Sequence, residues 1–194
     1  MRSFVLGNGK SRLAINPNDL TGYGKTYGCN ALYREFTPDY LVAVDPKMIF
    51  EIEKTGYQLT HPVWTNNNDR YKKFKGFNYF DPVLGWSSGP TALHLAVTHK
   101  PNEIFIFGFD YTGINGLLNN VYADTQNYRQ SSDLATYHGN WEKQTERVII
   151  DNPNIKFYRV VEENFYDPKW NYFNFRHISY ENFLRVRSTW SKTT

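Results

Sequence analysis

The stretch that most restricts the fold is Glu103–Phe107, whose sequence EIFIF contains no polar residue after the first. Such an uninterrupted apolar run predicts a strand that is covered on both faces of its sheet. The preceding residues 87–100 have serines that can cap a helix, a proline suited to its first turn and a small apolar body. Residues 108–110 follow the strand at its carboxyl end, where open α/β sheets usually place their ligand sites. This unit therefore predicts a parallel sheet with helices on its faces.

The first half of the chain contains further units of this kind. Ser3–Leu6 and Tyr40–Val44 are short apolar strands, and Tyr57–Leu59 is a further candidate strand. Asp45 followed by proline predicts a helix start, with Asp45 as the cap, and the helix ends near a glycine at 56. Residues 65–75 are polar and predict a surface segment. The alternation of strands and helices predicts a single Rossmann-like α/β domain with a mostly parallel sheet.

A long segment without apolar periodicity, residues 111–137, follows this unit and predicts a flexible lid or binding loop. A helix at Trp141–Asp151 and a strand at Ile155–Val161 come next, and the loose alternation of that strand fits a sheet edge. We therefore expect a nucleotide-binding α/β domain over residues 1–161. Residues 162–194 are predicted to be an aromatic and basic extension packed on it.

Composition and charge restrict the function classes. Cys29 is the only cysteine, so a disulfide framework and a cysteine-based metal site are excluded, and no histidine or carboxylate cluster predicts a metal. No apolar stretch approaches the roughly 18 residues of a membrane span, and the first residues lack the apolar core of a signal peptide, so the expectation is a cytoplasmic protein. A net charge of +3 from scattered Lys and Arg permits an anionic ligand without a strong nucleic-acid signal. A homo-oligomer stays an open alternative.

Glycines and polar residues gather at the predicted strand exits and helix starts. Glycines directly after a first strand let backbone N–H groups approach a phosphate, although this loop matches neither the P-loop nor the full dinucleotide fingerprint. Because the carboxyl ends of parallel strands meet at one edge, we expect these residues to form one ligand site. The candidates are Gly7, Asn8, Gly9, Ser11, Asn30, Asp45, Ser87, Ser88, Gly89, Gly108, Asp110 and Tyr111. The structural alternatives are a helix cap for Asp45 and a brace within its corner for Asp110.

Six short groups, in this order, resemble the bacterial sialyltransferases of the Campylobacter lipooligosaccharide type, glycosyltransferase family 42. The groups are Leu6–Ser11, Gly28–Asn30, Ser87–Gly89, Gly108–Tyr111, Tyr122–Thr125 and His138. They also resemble pterin-pyrophosphokinase-like proteins with a GNGPS loop. The resemblance covers roughly residues 2–161 and implies a GT-A-variant domain with a lid after the corner. It also implies a CMP-sialic acid type of donor and catalysis without a metal or other cofactor.

The resemblance implies contacts with the nucleotide. Asn8 and Ser11 would contact its phosphate or ribose, and Asn30 the phosphate or sugar of the donor. Ser88 and Gly89 would hold the base or ribose at a helix start, where N–H groups lack partners within the helix.

The resemblance also implies catalytic roles. Tyr111 and Tyr122 would donate hydrogen bonds to the departing phosphate, which stabilises its charge where no metal is present. His138 would be the general base that takes the proton of the acceptor hydroxyl. Imidazole suits this role because its ordinary pKa of about 6.5 is close to working pH.

Three positions depart from the pattern of the family. Lys10 replaces a proline, Gly85 stands where the family has an arginine, and Asp45 stands in place of an asparagine. The leading prediction is a metal-independent transferase that uses a nucleotide-activated sugar, with His138 as its base. The alternatives are a pyrophosphokinase-like enzyme that uses ATP and Mg²⁺, and a nucleotide-binding or sequestering protein without turnover.

Overall fold

Eight strands, all parallel, form one sheet in the computed structural model, which describes residues 1–135 and 139–192. The strands are β1 (Arg2–Leu6), β2 (Lys25–Cys29), β3 (Tyr40–Val42), β4 (Val63–Asn66), β5 (Phe77–Phe80), β6 (Glu103–Phe107), β7 (Lys156–Val160) and β8 (Phe175–Ile178). The α-helices are α1 (Pro46–Thr55), α2 (Ser88–Thr98), α3 (Asn140–Asp151) and α4 (Tyr180–Arg187). The predicted Rossmann-like α/β architecture is therefore confirmed.

The strands lie in the order β5-β4-β3-β2-β1-β6-β7-β8. The chain first moves outward from β1 to β5 on one side, then crosses to β6 and moves outward to β8 on the other. The switch in direction therefore lies between β1 and β6. In open α/β sheets this position, at the carboxyl ends of the strands, is where ligands usually bind.

The β6 run is covered on both faces, as its sequence predicts. Phe105 and Phe107 face the cluster that includes α1 and α4, where Ile49 and Phe183 are fully buried. Ile104 and Ile106 face the opposite cluster, which α2 and α3 cover with small and branched side chains. Burial on both faces explains why β6 has no polar alternation.

The predicted starts of α1 and α2 are confirmed, but the predicted side-chain caps at Asp45 and Ser87 are not. α1 begins directly after Asp45 and ends at Gly56, whose φ of 73° is the left-handed conformation that glycine adopts easily. The Asp45 side chain makes no capping hydrogen bond. Ser87 likewise holds the cap position of α2 without a side-chain bond to that helix.

Residues 175–187 contribute a strand and a helix to the same sheet and core. β8 pairs in parallel with β7, so the expectation that β7 forms the sheet edge is wrong. Phe183 of α4 is fully buried and contacts the rings of Phe105 and Phe107. This part of the chain therefore completes one face of the core.

The fourth strand also differs from the sequence prediction. Tyr57–Leu59 forms a short 3-10 helix, and the strand is Val63–Asn66, which overlaps the segment predicted to be polar surface. β4 pairs with β3 on one side and β5 on the other. None of the helices in the described residues is long and apolar enough to cross a membrane.

Candidate ligand site at the carboxyl edge of the sheet

The loops that follow β1 and β6 bond directly to each other at the switch in strand order. The Gly7 N–H donates to the Phe107 carbonyl at 2.8 Å, and the Gly9 N–H donates to the Gly108 carbonyl at 2.9 Å. A Cβ on Gly7 would lie 2.5 Å from the Gly108 oxygen, and one on Gly9 would lie 2.5 Å from Oδ2 of Asp110. Close packing of the two loops thus accounts for these glycines. Their contact with a ligand phosphate stays a prediction.

Asp110 joins the same two loops through its side chain. The carboxylate is only 4 % exposed and accepts hydrogen bonds from the Ser11 N–H at 3.0 Å and from Asn119 Nδ2 at 2.9 Å. The Ser11 hydroxyl donates a short hydrogen bond to its other oxygen. Ser11 and Asp110 are therefore hydrogen-bonded to each other in this structure. This arrangement corresponds to the structural alternative for Asp110, a brace within its corner. The predicted ligand contacts of both residues stay untested.

A second group of predicted residues is bonded together on the other side of β1. The Ser88 hydroxyl donates to Asn30 Oδ1 at 2.8 Å, and Asn30 Nδ2 donates to Asp45 Oδ2 at 2.9 Å. The Val44 N–H donates to the Ser88 oxygen at 3.1 Å. This chain of bonds, which we name the Asn30 network, joins the exits of β2 and β3 to the start of α2. It explains why the Asp45 carboxylate does not cap α1.

The start of α2 lies beside this network. The Ser87 N–H donates to Gln144 Oε1 of α3 at 3.0 Å, which ties the two helices together. The N–H groups of Ser88 and Gly89, in the first turn, have no partners within the helix. The partial positive charge of a helix amino end favours an anionic group at this position.

Among the described residues, two predicted side chains have a buried polar atom without a partner, namely Tyr111 at its hydroxyl and Asn8 at its amide oxygen. On the side of the Asn30 network, the residue concerned is Asn8. Its Oδ1 accepts no hydrogen bond, whereas its Nδ2 lies 3.4 Å from the hydroxyl of Tyr128. The same hydroxyl lies 3.4 Å from the Ala31 N–H, next to the Asn30 network. Buried polar atoms are nearly always paired, so an unpaired acceptor here is a reason to expect a ligand or water. Burial raises the pKa of Tyr128, which keeps it a neutral donor.

The two tyrosines predicted to act together lie on opposite faces of the sheet. Tyr122 belongs to the α1 side, where its hydroxyl donates to Glu35 at 2.5 Å and accepts from Arg12 at 3.1 Å. Tyr111 belongs to the α2 side and contacts the ring of Trp170. Burial raises the pKa of both phenols. The structure does not bring these two hydroxyls together, and their predicted role at the departing phosphate stays a prediction.

The predicted lid, residues 111–137, is described as far as 135 and lies against the site. The Val121 N–H donates to the Asn8 carbonyl at 2.8 Å, and Asn119 accepts from the Lys10 N–H at 2.8 Å. Arg34 donates to Thr125 at 2.9 Å and to the Gln126 carbonyl at 2.9 Å. The proposed base His138, together with residues 136 and 137, lies outside the described residues.

Several residues at the candidate site could not be predicted from a local sequence pattern. Asn119 and Tyr128 lie in a polar loop, and Arg12 is a buried cation whose partner Glu35 is 23 positions away. Such pairings follow from the fold and leave no spacing pattern. Among the residues that the structure describes, no group of three or more His, Cys, Asp and Glu side chains could hold a metal ion.

Among solved structures, the chain is similar to the sialyltransferase CstII from Campylobacter jejuni in complex with a substrate analogue, cytidine-5'-monophosphate. The two chains are 17 % identical, the match covers 81 % of this chain and 79 % of that one, and the TM-score is 0.52. No family model and no curated protein matches the sequence. At this identity the likeness concerns the fold, which is sialyltransferase-like.

Proposed function

We propose that this protein is a glycosyltransferase-like enzyme that binds a nucleotide-activated sugar beside the Asn30 network. The observation that carries the proposal is the convergence, at one edge, of the unpaired Asn8 oxygen, the Asn30 network and the donors at the start of α2. An amide oxygen suits a ribose hydroxyl or base amine, and the helix donors suit a phosphate. The similar fold of a protein bound to cytidine-5'-monophosphate supports the choice of CMP as the nucleotide.

The proposed reaction is sugar transfer without a metal. The acceptor oxygen forms a bond to the anomeric carbon of the sugar, while the bond from that carbon to the nucleotide phosphate breaks and its electrons leave with the phosphate. His138 takes the proton of the acceptor hydroxyl. In this proposal the amino end of α2 stabilises the charge that develops on the phosphate.

Calorimetric titration with CMP tests the binding step. Asn8→Ala removes the unpaired oxygen and should weaken CMP binding by about tenfold, as expected for one lost ligand hydrogen bond in a dry site. The stability of this variant should change little, because among the described residues the Asn8 side chain makes a single hydrogen bond, at 3.4 Å. Asn154→Ala, at an exposed asparagine after α3, is the matched control. Absence of CMP binding by the unaltered protein would refute the proposal.

Turnover is tested separately with CMP-sialic acid as the donor, by measuring CMP release in EDTA and in Mg²⁺. The proposal expects release in both media and its loss in His138→Ala with CMP affinity retained. Tight CMP binding without release would instead identify a non-catalytic nucleotide-binding protein. An absolute Mg²⁺ requirement with ATP as the substrate would identify the pyrophosphokinase-like alternative.

A further inference from the structure

A short part of the predicted lid, residues 125–128, lies against the proposed nucleotide site. The Tyr128 hydroxyl is 3.4 Å from Asn8 Nδ2 and 3.4 Å from the N–H of Ala31. Its ring packs on the ring of Tyr122 and on the core cluster at the α1 side of the sheet. Tyr128 therefore reaches from the lid to the loop after β1 and to the segment after β2.

The lid shields Asn8 from solvent. The Asn8 carbonyl accepts from the Val121 N–H at 2.8 Å, and its Nδ2 faces Tyr128. Asn8 Oδ1, the atom that the proposed function assigns to the nucleotide, is buried. The bond between Asn30 and Asp45, at the other end of the Asn30 network, is exposed. A nucleotide can thus approach the network in this arrangement, but it reaches Asn8 Oδ1 only after the lid moves.

The Tyr128 hydroxyl occupies two donors that a ligand oxygen would use. Both of its contacts are 3.4 Å long, whereas N–H···O hydrogen bonds are usually about 2.9–3.0 Å long. One phenol oxygen shared at this distance satisfies the two donors poorly. A phosphate oxygen at an ordinary distance binds such donors more strongly, so a nucleotide can displace Tyr128.

An ion pair beside α1 holds this part of the lid in place. Arg34 donates to Thr125 Oγ1 at 2.9 Å and to the Gln126 carbonyl at 2.9 Å. The same guanidinium donates to both carboxylate oxygens of Glu51, at 2.8 and 2.6 Å. The Asn127 amide donates to Glu51 Oε2 at 2.6 Å. We name the Arg34–Glu51 pair the latch.

The latch can release without unfolding the protein. Its bonds to the lid are exposed, and exposed hydrogen bonds and ion pairs contribute little each because water competes for the same groups. None of the contacts described for the latch or for Tyr128 involves a strand of the sheet. The lid can therefore open as a local unit while the fold stays intact.

We propose that residues 125–128 are an autoinhibitory plug, in which Tyr128 covers the nucleotide site and the latch holds it there. This inference concerns the regulation of that site and rests on the proposed function. A nucleotide that binds the open arrangement has its apparent affinity lowered by the fraction of molecules that are open, and its association waits for opening. A change that weakens the latch therefore tightens nucleotide binding.

Calorimetric titration with CMP compares two lid variants. Asn127→Gly removes the amide bond to Glu51, and glycine suits the left-handed φ of 69° at this position. It should tighten CMP binding by about fivefold, as expected when the closed arrangement loses one hydrogen bond. Asn115→Gly is the matched control and should leave CMP affinity unchanged, because Asn115 is an exposed lid asparagine with a φ of 52° that lies outside the latch.

A second variant, Tyr128→Ala, tests the plug itself. The proposal expects tighter CMP binding in this variant, with faster association in stopped-flow measurements. A tyrosine that contacts the bound nucleotide would instead give weaker binding when it is removed. Weaker CMP binding by Tyr128→Ala would overturn the proposal, as would unchanged affinity in Asn127→Gly.

Amide hydrogen exchange of the ligand-free chain tests the latch without any nucleotide. The Val121 and Ala31 N–H groups, which contact Asn8 and Tyr128, should exchange about fivefold faster in Asn127→Gly than in Asn115→Gly. Equal exchange rates in the two variants would overturn the plug. Faster exchange in Asn127→Gly, together with no CMP binding by any variant or by the unaltered protein, would support the plug and refute the proposed function.

Discussion

Asp110→Asn distinguishes a brace from a ligand contact at the corner after β6. The substitution keeps the shape of the side chain but replaces a charged acceptor of three hydrogen bonds, from Ser11 N–H, Ser11 Oγ and Asn119 Nδ2, with a neutral amide. Bonds to charged groups contribute about 1 kcal/mol more than neutral ones, so the expected loss is about 3 kcal/mol of unfolding free energy. For a chain of this length, that loss corresponds to a fall of roughly 6–12 °C in Tm.

Urea and thermal unfolding of Asp110→Asn, Ser11→Ala and the double variant measure this loss and the coupling between the two side chains. A coupling energy of about 1–3 kcal/mol is expected for residues that share a buried hydrogen bond. Asp133→Asn, at a lid carboxylate paired with Arg129 on the surface, is the control and should cost less than about 1 kcal/mol. The reasoning would be refuted by an Asp110→Asn protein with unchanged stability and lost CMP affinity.

Two further predictions concern the same edge of the sheet. Gly9→Ala should destabilise the protein by about 1–3 kcal/mol, because the added Cβ would lie 2.5 Å from the Asp110 carboxylate. Gly89→Ala should be neutral or stabilising, because its added Cβ would have its nearest contact at 3.4 Å. Urea unfolding of both variants measures the difference. Burial raises the pKa of Glu51, but its hydrogen bonds, foremost from Arg34, hold that pKa below the usual value. The Glu51 carboxylate should contribute about 2 kcal/mol to the free energy of unfolding above pH 5, and this contribution should disappear as the pH falls through the lowered pKa. The difference in unfolding free energy between the unaltered protein and Glu51→Gln should therefore shrink over that range. A difference that stays constant with pH would contradict this prediction.

The fold could be predicted where one segment carries its own signal. The apolar run of β6 and the Asp45–Pro46 start of α1 identify a buried strand and a helix without reference to the rest of the chain. β4 and β8 could not be found this way. Val63–Asn66 and Phe175–Ile178 mix apolar with polar residues, and pairing with neighbouring strands decides their conformation.

The position of the candidate site was predictable, whereas its internal bonding was not. Parallel topology brings every strand exit to one edge, so Asn30, Asp45 and Ser88 meet as expected. Which polar groups bond to each other depends on three-dimensional proximity. Ser11 and Asp110 are 99 residues apart, and no local pattern distinguishes their mutual bond from two separate ligand contacts.

The bonded loops at the switch point also restrict where the proposed nucleotide site can lie. Direct bonds between Gly9 and Gly108 fill the crevice that open sheets usually leave between such strands, so the proposal places the nucleotide toward β2, β3 and the start of α2. On the other side of the corner, Tyr111 contacts the ring of Trp170. The corner from Gly108 to Tyr111 is therefore held by contacts on both sides. Loosening it through Asp110→Asn should impair sugar transfer more than it impairs CMP binding, because transfer alone requires precise alignment of donor and acceptor.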